Sequence, residues 1–275
     1  MQGRQQAMED NQEELVGAGE EMSFWGHLEV LRWSLFRIAV VVVVLMVSMF
    51  MVMPSVFGPF VLGPTSSDFF LYKWLGQLLG DIPFLPDFSA SDYKVDIINI
   101  NVASQFMTHI STSFWFALVL AFPYSVYEIW RFISPALYDN EKGALRIAFL
   151  FGTVMFFIGC CIGYCFIFPF TFRFLTEYQL SSEISNQISL NSYMGSFLMM
   201  VFVMGVVFEM PLVAMLLSKF GIITKELLRK YRRHAVVLLL VLAAMITPTG
   251  DPFTLMLVFL PLYLLYELSV ILIKN

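Results

Sequence analysis

Ser34-Leu35-Phe36-Arg37-Ile38-Ala39, running on into Val40-Val41-Val42-Val43-Val44-Leu45-Met46-Val47, is the stretch that decides the fold. A helix needs about 20 largely apolar residues to cross the hydrocarbon core of a bilayer, and the run near 34–54 supplies them. Working outward with the same window, further runs lie near 109–130, 146–169, 193–218, 234–248 and 253–273. The run near 234–248 is short. Its 15 residues rise only about 22 Å against roughly 30 Å of hydrocarbon, and Pro261 interrupts the last run. Fewer, longer spans are therefore the competing count. A hairpin between runs five and six is favoured by Thr247-Pro248-Thr249-Gly250-Asp251-Pro252, which is dense in turn formers.

Composition agrees. Of the 275 residues 59% are hydrophobic and 13% charged, with a mean hydropathy of +0.76. An ordinary soluble domain carries about 25% charged residues, so a soluble globule is excluded, and so is a disordered chain. Net charge is −5 without a broad basic patch, which argues against nucleic acid. The cysteines crowd at Cys160, Cys161 and Cys165 inside an apolar run, where they read as small packing residues rather than a disulfide framework. The expected fold class is all-α: a polytopic membrane protein of six transmembrane helices.

Loop charge sets the orientation. Taking the loops alternately, only Lys73, Lys94 and Arg173 of the 16 Lys and Arg fall in the set opposite the N-terminus. By the positive-inside rule both termini face the cytoplasm. Residues 1–22, with Glu9, Asp10, Glu13, Glu14, Glu20 and Glu21, read as an acidic solvated tail or as residues upstream of a start at Met22. A cleaved signal peptide is not expected there. Residues 23–275 form one transmembrane domain. Its long external segment, about 55–106, includes a half-apolar stretch, Phe69 to Leu79, suited to an amphipathic helix on the outer membrane face.

Ionisable residues within spans cost about 2.5–3.5 kcal/mol at the membrane centre on insertion scales. Glu209 stands mid-run in Gly205-Val206-Val207-Phe208-Glu209-Met210-Pro211 and is expected to be neutral or supplied with polar partners. It is a functional candidate or a hydrogen-bonded structural contact. Pro211 removes a backbone donor beside it. Glu128 and Glu267 lie nearer span ends, are expected to reach an interface, and weigh less. Glu29 and Glu141 share one membrane face and together would receive a cationic ligand, for which Arg is the natural partner through its bidentate fork. Taken singly, exposed glutamates are ordinarily just solvated. His27, His109 and His234 lack ligand spacing, so no metal is expected, and no phosphate loop is present. Ser196 and His234 sit near opposite ends of their spans, out of reach of a hydrolytic dyad.

The chain resembles the TatC family, the multispanning receptors of the twin-arginine protein translocase, from about Phe24 to Ile273. The strongest stretch is FPYSVYEIWRFISPALYDNE, Phe122 to Glu141; GVVFEMP, Gly205 to Pro211, and ITPTGDPFT, Ile246 to Thr254, follow. His27-Leu28-Glu29-Val30-Leu31-Arg32 is similar to the family's amino-terminal motif. The resemblance implies a concave, glove-like bundle with short helices five and six, in the cytoplasmic membrane. It implies recognition of the paired arginines of signal peptides on folded precursors. Glu141 occupies the position of the family's loop glutamate; Phe132, Pro135 and Pro123 match positions that shape the site, with Glu29 and Arg32 from the amino-terminal motif. Glu209, Pro211 and Asp251 fall in the family's intramembrane motifs, where partner subunits are expected to dock. The implied partners are TatA- and TatB-type single-span subunits, further copies of this chain in a larger complex, and membrane lipid. No cofactor and no catalysis are expected, with transport driven by the protonmotive force.

There are departures. The family glutamate aligns with Val30, and Glu29 falls one residue earlier, about 100° around a helix. Either Glu29 substitutes from a shifted angle, or that half of the site is weakened. Leu255 stands where the family commonly has Gln, and the 55–106 segment is longer than usual. The competing function is an ion-coupled small-solute carrier with Glu209 as proton site.

Overall fold

The computed structural model describes residues 24–79, 93–134, 139–181, 183, 186–247 and 249–273. Helix α1, Phe24–Val56, starts ten residues before the predicted span and ends in a π-helical turn, Phe57–Val61, and a 3-10 turn, Gly63–Thr65. A short helix, α2 (Phe70–Leu79), follows where the sequence suggests an amphipathic one. Helix α3 is Ser104–Ile133. Helix α4, Asp139–Ile162, continues through a π turn, Gly163–Ile167, into α5, Phe168–Glu177. Then come α6 (Leu190–Val207), α7 (Met210–Lys219), α8 (Lys225–Lys230), α9 (Arg232–Ile246) and α10 (Pro252–Leu272).

Five stretches among the described residues are long and apolar enough to cross a membrane: Leu28–Thr65, Ser104–Ile133, Arg146–Glu177, Leu190–Lys219 and Pro252–Leu272. The 15-residue α9 is not among them, as its length foretells. Pro261 does not interrupt α10, contrary to the sequence expectation. A proline inside a membrane helix forfeits one bond, but no water competes for the rest, so the helix persists.

One end of the bundle gathers the basic loops; the other gathers the residues between α1 and α3 and those between α5 and α6. At that second end two short parallel strands, β1 (Ile97–Ile98) and β2 (Ile188–Ser189), tie the two segments together. The large core lies in this half, where Tyr72, Phe168, Tyr193, Phe197, Met200 and Met204 are buried together. That core continues along α10 to Leu265, Tyr266 and Val270, and the basic half adds a small separate cluster, Val126, Phe149 and Leu212, between α3, α4 and α7. Helix α1 packs chiefly on α3 and leaves most of its apolar surface exposed. That is what a lipid-facing helix looks like, since lipid tails are as apolar as its side chains.

Prolines leave carbonyls without donors, and the structure supplies them from neighbouring helices. Pro54 has no N–H for the carbonyl of Phe50 four residues earlier. The His109 ring of α3 places Nε2 2.8 Å from that oxygen, which requires Nε2 to carry the proton, and stacks on the Phe50 ring at 3.8 Å between centroids. Pro64 deprives the Phe60 carbonyl in the same way, and the Tyr164 hydroxyl donates to it at 2.8 Å. Tyr193 donates to the carbonyl of Val61, and Tyr72 to that of Pro64. Buried Arg173 holds the outer segment down: its guanidinium stacks over Tyr93 and Tyr72 and donates to Glu177 at 2.7 Å. Burial pushes the Tyr93 hydroxyl up to about 12, so it stays a neutral donor or acceptor beside Thr176.

Candidate functional site

At the basic end, α1 and α3 run side by side and frame a pocket of about 360 Å³ lined by Gly26, Glu29, Val30, Trp33, Arg37 and Arg131. Glu29 and Arg32 lie three residues apart on α1, 3.8 Å between charged atoms and well exposed. Such a pair contributes little to stability, so Glu29 remains available to a ligand. Val30 forms the adjoining wall. Across α3, a second and more apolar groove of about 650 Å³ runs between α3 and α4, with Pro123, Tyr127, Trp130, Arg146 and Ile147 among its lining residues.

Phe132 is half-buried in the last turn of α3, and Pro123 is exposed within that helix. Pro135 lies outside the described residues. Glu141 is in the first turn of α4, just beyond the loop, and its side chain is outside the described residues.

Behind the pocket lies a contact that overturns the expectation for Glu128. It does not reach an interface; it is only 1% exposed. Arg37 grips it bidentately, Nε to Oε1 at 2.9 Å and Nη2 to Oε2 at 2.7 Å. Tyr124 donates to Oε1 at 2.9 Å, and Arg37 Nη2 also reaches Ser34 Oγ at 3.0 Å. Two opposite charges on adjacent spans satisfy each other, which position along a span does not reveal. The available signal was that Arg37 and Glu128 stand at similar distances from the basic ends of neighbouring spans. Glu267 is likewise paired, with Arg232 at 2.6 Å and Tyr263 at 3.2 Å, linking α9 to α10.

Glu209 is different. The fourth span breaks before Pro211, not at it: α6 ends at Val207, Phe208 and Glu209 form a turn, and Pro211 sits in the first turn of α7, where its missing N–H costs least. Both Glu209 oxygens are enclosed and find no hydrogen-bond partner among the described residues. The carboxylate lies against Gly152 of α4, where an added Cβ would stand 2.7 Å from Oε2. Glycine makes the room.

Asp251 caps α10. Its Oδ1 accepts from the Thr254 amide at 2.8 Å and its Oδ2 from the Thr249 hydroxyl at 2.6 Å. Burial pushes this carboxyl up, but the hydrogen bonds outweigh it and hold the group below the ordinary carboxylate value. Ser196 lies near the start of α6, while the His234 ring packs on Tyr231 at the start of α9, so no dyad forms. Among the described residues no group of three His, Cys, Asp or Glu is placed to hold a metal ion.

A bundle of long apolar helices with a polar pocket at its basic end, and a lone enclosed carboxylate at a helix break, defines a polytopic helical membrane protein. Comparison with known proteins narrows this class. The family model for the Sec-independent protein translocase protein (TatC) matches residues 26–261. The TatC of Blattabacterium sp. subsp. Periplaneta americana is 33% identical over 252 residues, 91% of this chain and 94% of that protein. The TatC of Deinococcus radiodurans is 37% identical over 179 residues, 65% of this chain and 66% of that protein. A crystal structure of the twin-arginine translocase receptor TatC in DDM superposes with a TM-score of 0.71 at 28% identity, covering 90% of this chain and all of that one. The chain belongs to the TatC family and is a core subunit of the Sec-independent (Tat) translocase. The solute-carrier reading receives no support from these relatives.

Proposed function

We propose that this protein is the signal-peptide receptor of its translocase, a non-enzymatic subunit that binds the paired arginines of folded precursors. The observation that carries the reading is the polar pocket at the basic ends of α1 and α3, with Glu29 on its wall, at the same end as the α3–α4 turn that leads to Glu141. The match to the twin-arginine translocase receptor over 90% of the chain supports it.

Glu141 is the principal acceptor of an arginine guanidinium, with Glu29 assisting and Arg32, Phe132, Pro135 and Pro123 shaping the surroundings. Guanidinium–carboxylate pairs are bidentate, which lysine does not reproduce. The basic end faces the cytoplasm and the chain crosses the inner membrane six times, with α9 as a short fifth span, so both termini are cytoplasmic. Residues 23–275 make up a single transmembrane domain; residues 1–22, read from the sequence as an acidic tail, lie outside the described residues. TatA- and TatB-type single-span subunits dock by the turn at Glu209 and Pro211 and near Asp251, within an assembly of several copies. The protonmotive force drives transport, a 100 mV potential contributing about 2.3 kcal/mol per charge moved.

A photoreactive residue placed at position 141 tests the reading. It is expected to crosslink a twin-arginine peptide and not a twin-lysine one. Equal crosslinking of both peptides would refute recognition at this loop.

A further inference from the structure

We propose that Glu128 is the second carboxylate of the arginine-binding pocket, and that Arg37 is a resident guanidinium occupying it until a signal arginine arrives. The proposal rests on the receptor reading above and deepens it. In this chain Val30 stands where the family resemblance places a glutamate. On α1, residues 30, 34 and 37 share one face, being four and seven apart. The structure bears this out: Val30 and Arg37 line the same pocket, and Ser34 is buried while accepting from Arg37. A charge missing at position 30 is therefore missing from the face that Arg37 occupies. The buried carboxylate on that face is Glu128, reached from α3.

The charges around the pocket make the arrangement specific. Glu29 and Arg131 are exposed and line it, Arg32 stands beside Glu29 outside the lining, and Arg37, with 35% of its side chain exposed, lines it as well. Without Glu128 the pocket would carry one carboxylate, Glu29, against two cations, Arg37 and Arg131, and would repel an arginine pair. With Glu128, Arg37 is neutralised, and a planar bidentate acceptor stands ready behind it. Tyr124 donates to Oε1 independently of Arg37, so the carboxylate keeps one fixed hydrogen bond when its guanidinium partner changes. An incoming arginine replaces Arg37 like for like: two N–H donors to two oxygens. Arg37 then turns its exposed end to water or lipid phosphate.

The test is binding of a synthetic twin-arginine signal peptide, with a twin-lysine control, to the full purified chain in detergent. Arg37→Gln uncovers Glu128 and is expected to bind the twin-arginine peptide about tenfold or more tightly, the worth of one charge-assisted bidentate contact. In the same variant the melting temperature is expected to fall, because a buried carboxylate has lost its partner. Glu128→Gln keeps an acceptor for Arg37 but removes the charge, and is expected to weaken binding about tenfold, with added salt restoring part of the loss. A strut serving only to hold α1 on α3 would move both variants in the same direction. Weaker or unchanged binding by Arg37→Gln, while Glu141→Ala still abolishes binding, would overturn the proposal and leave the receptor reading standing. If Arg37→Gln fails to fold, unchanged binding by Glu128→Gln overturns it equally. Wild-type protein that binds the twin-lysine peptide as well as the twin-arginine one would instead sink the receptor reading itself.

Discussion

Gly159→Ala is expected to loosen the bundle at a point where α4 lies close against the backbone of α6. A Cβ on Gly159 of α4 would stand 2.6 Å from the Met204 carbonyl oxygen and 2.8 Å from Cβ of Phe208. Ordinary contact begins at 3.4 Å, so the local separation must grow by 0.8 Å (3.4 − 2.6). The nearest atom belongs to the backbone of α6 and cannot rotate aside. Overpacking of this kind costs about 1–3 kcal/mol, and the better helix propensity of alanine returns at most about 1 kcal/mol. Close approach of backbones is what holds membrane helices together, so a net loss of about 1–2 kcal/mol is expected.

Gly195→Ala in α6 is the control, because nothing lies within 4 Å of its Cβ position. It is expected to be neutral or stabilising. Unfolding both variants in detergent by graded addition of SDS, followed by tryptophan fluorescence, measures the difference. A Gly159→Ala midpoint at or above that of Gly195→Ala would refute the close packing of α4 on α6. Gly152→Ala meets only flexible ends, Leu212 Cδ2 and Glu209 Oε2; it is expected to displace the Glu209 carboxylate with little loss of stability.

Replacing His109 by Leu strands the Phe50 carbonyl and is expected to cost about 1–3 kcal/mol; adding Pro54→Ala restores a backbone donor and should recover most of it in a double-mutant cycle. Asp251→Ala removes a helix cap and is expected to cost about 1 kcal/mol at pH 7. The folded Asp251 carboxyl lies below its unfolded value, so its contribution is present above about pH 4 and is lost as pH falls through the folded value. Wild type and variant should therefore converge in melting temperature toward pH 2, and a constant gap would refute the assignment. Glu209→Gln keeps shape and hydrogen bonding without ionisation and is expected to support export where Glu209→Ala does not; failure of both would favour a proton-carrying role. In a cysteine-free background, a cysteine at position 225 is expected to react only from the cytoplasmic side, and labelling from outside would overturn the orientation.

Span 1 and the helix at 70–79 were legible because both depend on composition averaged over a window. The shortness of α9 was legible by counting residues. What a window misses is the donor that a neighbouring helix brings to a particular carbonyl. His109 carries no ligand spacing and looked idle in the sequence, yet it completes the backbone of α1 at Pro54. Pro261 looked like a break for the converse reason: proline forfeits one backbone bond and ends helices in water, where freed backbone groups are hydrated, whereas a bilayer offers no such alternative and the remaining bonds hold the helix. The binding pocket was half legible. Glu29 followed from its motif, whereas Arg37 and Glu128 needed the packing of α1 on α3 to be seen as a pair.

Two of the glutamates within the spans, Glu128 and Glu209, divide the labour of the bundle. Glu128 is held by a guanidinium fork and a tyrosine where α1 packs on α3. Glu209 is the reverse: enclosed, unpartnered among the described residues, and placed at a helix break with glycine clearing its space. An unsatisfied buried carboxyl is expensive, and a chain does not keep one for stability. A donor carried by a docking subunit, as proposed above, is what would offset that cost. On the proposals above, the basic-end site carries its counter-ion in place, while the site at the break receives its donor from a docking subunit. That contrast is what the Glu209→Gln and Arg37→Gln variants separate: the first should keep its function because a partner hydrogen-bonds to it, the second should gain affinity because a partner has been removed.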